Sequence, residues 1–358
     1  MKILYIVIAV SSIIALLDLM TGKRLGIGQE FEKGISLIAI MTTSMAGMII
    51  LAPCIAYLMG GVTSLLPEYI EPSIIASSIL ANDMGGAPLS ANICRTPILG
   101  QFNGLVVGAT MGATISFTIP VALEMAPQKH HRDILFGFLC GIITIPIGCI
   151  FGGLVCGIEF LPLIINLIPL IVFSAICAIG ITYFPGVCIK IFSLFGKFMK
   201  LLILVGLGVG IFEFLTGTKL LPFADTIENG MAVCLNAAWV MTGMFPIVNV
   251  LARIIKKPLN LLGKKIGVND TSTMGFLATL ATSVNTFAMF KDMDRRGIIL
   301  NAAFCISGGF MLAGHLAFTL AFGADFLPAV LVGKSVAAIC ATILSALLCN
   351  NFIKKNEL

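Results

Sequence analysis

Asp83 is the one charged residue between Pro72 and Asn92, and it stands in the run Asn82-Asp83-Met84-Gly85-Gly86-Ala87-Pro88. Two glycines ahead of a proline end a helix, because glycine takes up the terminating left-handed turn and proline cannot continue the hydrogen-bond ladder. If that break lies within a bilayer, a half-helix turns its carbonyl end toward the pocket. The Asp83 carboxylate adds to the negative field there, and such a tip suits a cation. An ionisable group so placed is a functional candidate by default; the plainer alternative is that Asn82 and Asp83 cap a turn at the membrane surface. The run Thr279-Leu280-Ala281-Thr282-Ser283-Val284-Asn285-Thr286 is the counterpart, uncharged but rich in hydroxyls and amides. Ser283, Asn285 and Thr286 could bind a hydroxyl where the first run binds an amine, or they could hold helices together.

Asn103 and Asn301 follow these two runs at equivalent positions, where they either cap the next helix or line the site. His315 lies deep in the apolar run 298–322, and an intramembrane histidine is a proton-relay or ligand candidate. Lys334, inside the last apolar run, is expected to snorkel to the surface or pair with Asp325. Gly104, Gly108 and Gly112, with Gly153 and Gly157, have the spacing of close helix packing and carry no substrate information. The single tryptophan, Trp239, leaves an aromatic cage for a quaternary amine to phenylalanine and tyrosine.

What positions these residues is a membrane fold. Of 358 residues, 58% are apolar and 11% charged, with mean hydropathy +1.07; a soluble domain carries about 25% charged residues. Nearly uncharged runs recur at 3–17, 36–59, 72–92, 102–123, 134–157, 161–183, 201–212, 231–251, 271–289, 298–322 and 327–352. They leave no room for an extramembrane domain, and the 3–17 run, with no A-x-A cleavage pattern, reads as a first span rather than a signal peptide. The net charge of +5 comes from short basic clusters between runs and does not point to nucleic acid. The 11 cysteines lie mostly inside the runs, without CxxC or Cys/His metal spacing, and read as small buried hydrophobes. No P-loop, HExxH or GxSxG is present, and the chain holds three histidines. No enzyme, cofactor or metal is expected.

The sequence also repeats. Asp18-Leu19-Met20-Thr21-Gly22 returns as Glu213-Phe214-Leu215-Thr216-Gly217, Gly47-Met48 as Gly243-Met244, and Asn103 as Asn301, at offsets of 195 to 198. Half one is taken as 1–160, a connecting helix and linker as 161–199, and half two as 200–358. Basic connections at 23–24, 129–132, 190–200, 253–265, 291–296 and 354–355 fall on one side only if 72–92 and 271–289 enter and return on their own sides. The halves are then inverted relative to each other. The expectation is an all-α polytopic protein of about nine spans plus two re-entrant segments, N-terminus outside and C-terminus inside.

Leu80-Ala81-Asn82-Asp83-Met84-Gly85-Gly86-Ala87-Pro88-Leu89, preceded by residues 47–61 and followed by 102–120, resembles the ethanolamine permease family, the EutH type of bacterial ethanolamine utilisation. The resemblance runs through the chain and implies a multi-pass protein of the bacterial cytoplasmic membrane that brings in ethanolamine for breakdown. Protonated ethanolamine offers three ammonium donors and one hydroxyl, which suits a carboxylate at one tip and hydroxyls at the other. Another small amine or a nucleoside, or a membrane sensor or structural component of a larger assembly, are the competing readings. The sensor would need a signalling domain or long tail, whereas only 353–358 follows Phe352. The coupling ion and a homo-oligomer are left open.

Overall fold

An apolar run about 20 residues long can satisfy its backbone in hydrocarbon only as a helix, and every element of the structure, a computed structural model that describes residues 2–355, is helical. Residues 356–358 of the expected tail lie outside the described residues. Helix α1 (Lys2–Met20) is followed by α2 (Gly28–Met41), which runs through a π turn at Thr42–Ala46 into α3 (Gly47–Thr63). The short α4 (Pro72–Ile79) and α5 (Gly86–Ile93) come next. Then α6 (Pro97–Phe102) continues through π-helical stretches Asn103–Gly112 and Thr114–Thr118 into α7 (Ile119–Met125). Long helices α8 (His131–Val155), α9 (Phe160–Tyr183), α10 (Pro185–Thr216) and α11 (Ile227–Ile266) lead to α12 (Asp270–Ala281) and α13 (Ser283–Met289). The chain finishes with α14 (Arg295–Gly308), α15 (Gly314–Phe322) and α16 (Leu327–Lys355).

Among the described residues, eight helical stretches are long and apolar enough to cross a membrane. The run 298–322 is not one helix, as expected, but α14 and α15 separated by a non-helical stretch. Residues 186–198, read as a linker, continue into the next run without a break, both lying within α10.

Both expected re-entrant segments fold back on themselves. In the first, the chain leaves α4 at Leu80 and Ala81 in extended conformation, makes a 3-10 turn over Asn82–Met84, and passes Gly85 at φ 99° into α5. Only glycine adopts that φ at no cost. The break is therefore one turn earlier than Gly85-Gly86 suggested, and Gly86 opens a helix rather than closing one. The arms are bridged by Ser77 and Ser90, whose hydroxyls are 2.6 Å apart. At the mouth, the Glu71 carboxylate accepts from the Arg95 and Thr96 amides at 2.8 and 3.0 Å. The second hairpin repeats the device: α12 breaks at Thr282 (φ −157°, ψ 128°), and Thr279 and Thr286 bridge the arms at 2.7 Å. Its mouth is closed by the Asn269 amide donating to Asp294 at 2.9 Å.

The mouths face opposite ends of the bundle. Arg95 donates to the carbonyls of Thr63, Leu66, Pro67 and Ile70, beside the start of α6. The 29-residue span from Pro97 to Met125 then carries the chain to the far end. There Asp133, at the start of α8, pairs with Arg295 at 3.1 Å, next to the mouth of the second hairpin. Arg253, donating to Leu25 and Gly26, and Arg296, donating to Ile266, gather the basic connections at that same end.

The run Gly104, Gly108 and Gly112 faces the first hairpin, against Ala87, Asn82 and Leu80 respectively. A Cβ at Gly112 would run into the Leu80 and Ser77 carbonyls, whereas one at Gly60 would meet nothing. Gly112→Ala should therefore cost about 1–3 kcal/mol through overpacking, while Gly60→Ala leaves stability unchanged or slightly raised. Thermal melts of the purified variants in detergent check the contrast.

Candidate substrate site

Two interrupted backbones meet in the middle of the bundle. The amide of Ala81, at the tip of the first hairpin, donates to Ser116 Oγ of the π-helical stretch at 3.1 Å. The carbonyls of Thr279 and Leu280, at the end of α12, accept from the amides of Phe310 and Leu312 at 3.1 and 2.9 Å. The stretch between α14 and α15 thus supplies the donors that the end of α12 lacks, and this interruption explains where the expected straight span went. Phe310 links the two halves: its ring stands edge-on to Phe117 with centroids 5.4 Å apart, and 5.4 Å from the His315 ring.

At this junction lies Lys334, 1% exposed and, among the described residues, the buried member of the lysines and arginines. It neither snorkels nor pairs with Asp325, which is exposed. Its Nζ donates to the Ala109 carbonyl at 2.6 Å and lies 3.0 Å from His315 Nδ1. Helices α8, α14 and α16 pack closely around it, and that packing, not its place in the sequence, decides its depth. Ala109 lies in the π-helical stretch, where the Ala113 amide bonds to the Gly108 carbonyl. Such π stretches frequently mark functional sites. His315, 3% exposed, is one of the predicted residues the structure brings to the junction.

Asn82 and Asp83 are the others. Asn82 is fully buried, and neither its Oδ1 nor its Nδ2 has a partner. An unmet buried polar group costs about 1–3 kcal/mol, so both atoms are an open offer of a hydrogen bond. Asp83 is half-buried. It acts electrostatically on Lys334, yet no ion pair joins them, and the Cys234 thiol of α11 is a further neighbour. The α4 carbonyl end precedes these residues and the α5 amide end follows them, so the tip is not the purely negative helix end expected from Gly85-Gly86. The negative charge at the tip is that of the Asp83 carboxylate itself.

The remaining candidates do other work. Asn103 is neither a cap nor a tip residue: its amide donates to Ser73 Oγ at 2.9 Å and exchanges hydrogen bonds with Asn166 at 3.0 and 2.8 Å. Asn301 matches it, donating to the Ser272 carbonyl at 2.8 Å and tying α14 to the second hairpin. Thr286 is spent on Thr279 and on the Gly275 carbonyl at 3.0 Å. Ser283 is fully buried beside the Cys305 thiol. Asn285 is exposed on α13 and points away from the junction. Phe310 is the junction residue that the sequence reading left out, and Lys334 is one that it placed at the surface or on Asp325 by preference, with Asp83 as a rival partner. A lone lysine in the middle of an apolar run was the available signal for Lys334, and Gly308-Gly309 for the break that places Phe310.

A cavity of about 640 Å³ between α1, α2, α11 and α15, lined by Tyr5, Ser12, Asn236 and Trp239, includes none of the candidate residues. No group of three or more histidine, cysteine or acidic side chains among the described residues could hold a metal.

The chain matches the family described as "Ethanolamine utilisation protein, EutH" over residues 1–348. It is 38% identical to the probable ethanolamine permease EutH of Listeria monocytogenes, covering 99% of this chain and 96% of that protein. It is 34% identical to the protein of the same name from Salmonella typhimurium, covering 89% and 85%, and 34% identical to the uncharacterized protein YxeR of Bacillus subtilis, covering 92% and 90%. No solved structure matches the chain.

Roles assigned by hydrogen bonding have opposite consequences for stability. Asn103→Ala strands the Asn166 amide and should cost about 1–3 kcal/mol. Asn82→Ala deletes two unmet polar atoms and should leave the melting temperature unchanged or raise it. A marked loss of stability in Asn82→Ala would mean that Asn82 holds the fold together.

Proposed function

Because the chain belongs to the EutH family of ethanolamine utilisation proteins, we propose that it carries protonated ethanolamine into the bacterial cytosol, binding it at the tip of the first hairpin. It is a membrane transport protein and not an enzyme. The observation that carries the site is the pair Asn82 and Asp83: a carboxylate without an ion-pair partner beside a buried amide without any partner, at a backbone break in mid-bundle. The ammonium of ethanolamine goes to Asp83 and its hydroxyl to Asn82 or His315. Ser283 and Asn301, each with a buried oxygen lacking a hydrogen-bond partner, remain second-hairpin candidates for the hydroxyl during the cycle.

The architecture proposed is an inverted repeat of halves 1–160 and 200–358 joined by 161–199, with nine crossings once α14 and α15 count as one broken span. It is supported by hairpin mouths at opposite ends, by matching hydroxyl bridges, and by the matched ties of Asn103 to Ser73 and Asn301 to Ser272. The end that gathers the basic connections is assigned to the cytosol, which puts the N-terminus outside and the C-terminus inside. Cysteine-accessibility labelling should find 129–132 and 253–265 inside, and 60–71 and 216–228 outside. Labelling of 129–132 from outside would break the repeat.

Asp83→Asn keeps the size of the side chain and removes its charge. Ethanolamine binding should weaken by about 2–5 kcal/mol, the range for truncating one partner of a buried charge pair, while the fold survives. Wild-type affinity in that variant, measured by titration calorimetry, would remove Asp83 from the site. Choline should bind more weakly than ethanolamine, since a quaternary amine has no N–H to give the carboxylate.

A further inference from the structure

Lys334 is a cation that the site already owns. Its hydrogen-bond partners are both neutral, the Ala109 carbonyl and His315 Nδ1. Its charge is balanced only at a distance by Asp83, with no ion pair between them. The other groups facing it are few: the Cys149 thiol from α8 and the His315 ring from α15. The π-helical stretch presents a carbonyl and no titratable side chain. The Cys305 thiol of α14 is turned to Thr279 and Ser283, and Arg296 sits at the far end of α16 against Cys349 and Asn350. Asp325, at the start of α16, is exposed.

An empty site with Asp83 ionised and Lys334 protonated is neutral. A second ammonium brought to Asp83 would leave one positive charge uncompensated inside the membrane, where it is strongly disfavoured. We infer, on the reading that ethanolamine binds as an ammonium at Asp83, that each substrate cation displaces one proton from Lys334, so that the carrier exchanges ammonium for proton without moving net charge. The step balances: substrate ammonium plus protonated Lys334 gives bound ammonium, a neutral lysine and one proton released to the side of entry. On the other side the ammonium leaves and Lys334 takes a proton back. The neutral amine loses no contact, since it still donates to Ala109 and its lone pair can accept from His315 in the Nδ1–H tautomer. Lys334 is thus a coupling residue, and its partner Asp83 is the shared counter-charge.

The test is proton stoichiometry. Purified protein is titrated with ethanolamine by calorimetry in two buffers of different ionisation enthalpy, with wild type and Lys334→Met side by side. Release of one proton per ethanolamine by the wild type and none by Lys334→Met is the expected result. Absence of release in the wild type overturns the inference, and so does equal release by both proteins, which would mean that the amine itself sheds the proton. If Lys334→Met does not fold, Lys334→Arg, which cannot deprotonate, should bind ethanolamine about tenfold more weakly or worse. Wild-type affinity in the arginine variant contradicts the inference. A wild-type protein that fails to bind ethanolamine at all refutes instead the substrate assignment beneath it.

Discussion

Backbone that leaves the helix inside a membrane must find every hydrogen bond from protein, because lipid supplies none. This chain breaks helix three times within its apolar runs, at residues 80–85, at Thr282, and between α14 and α15. The rest of the structure is arranged around satisfying those breaks. Ser116 serves the first, the amides of Phe310 and Leu312 serve the end of α12, and the hydroxyl bridges Ser77–Ser90 and Thr279–Thr286 hold the arms closed. The third break supplies the donors to the end of α12 at the second. At the first of these breaks the unmet amide of Asn82 stands beside the Asp83 carboxylate, which has no ion pair, and the two together leave an opening for a group that is not protein.

The span from Pro97 to Met125 couples these features. Its small residues let the first hairpin lie against it, its hydroxyls receive the tip, and the Ala109 carbonyl of its π-helical stretch accepts from Lys334. The same span therefore packs against the hairpin and holds the buried cation. Asp83 and Lys334 act on each other across this helix, which is how an event at the hairpin tip can reach α16.

Much of this was written locally in the sequence. Gly85-Gly86-Pro88 marks a break because those residues have few backbone options, and the even spacing of Asn103 and Asn301 marks a repeated tie. Depth and partner choice were not local. Lys334 looked able to snorkel because nothing in its own neighbourhood reveals that α8 and α14 close over it. Asn285 and Thr286 are adjacent in sequence, yet one is exposed and the other buried, a matter of which face of a seven-residue helix meets α12. The break between α14 and α15 carries Gly308-Gly309 but no proline, and hydropathy runs straight across it.

The most direct test of the central claim is uptake of radiolabelled ethanolamine into proteoliposomes containing this chain as the sole protein, with the same mildly acidic buffer on both sides to keep the amine protonated and slow leakage. Saturable uptake well above that of protein-free vesicles, lost when Asp83 is replaced by Asn, is the result predicted by a carrier whose substrate site is the tip of the first hairpin. Uptake no faster than in empty vesicles, or equally fast in the Asp83→Asn protein, would contradict it.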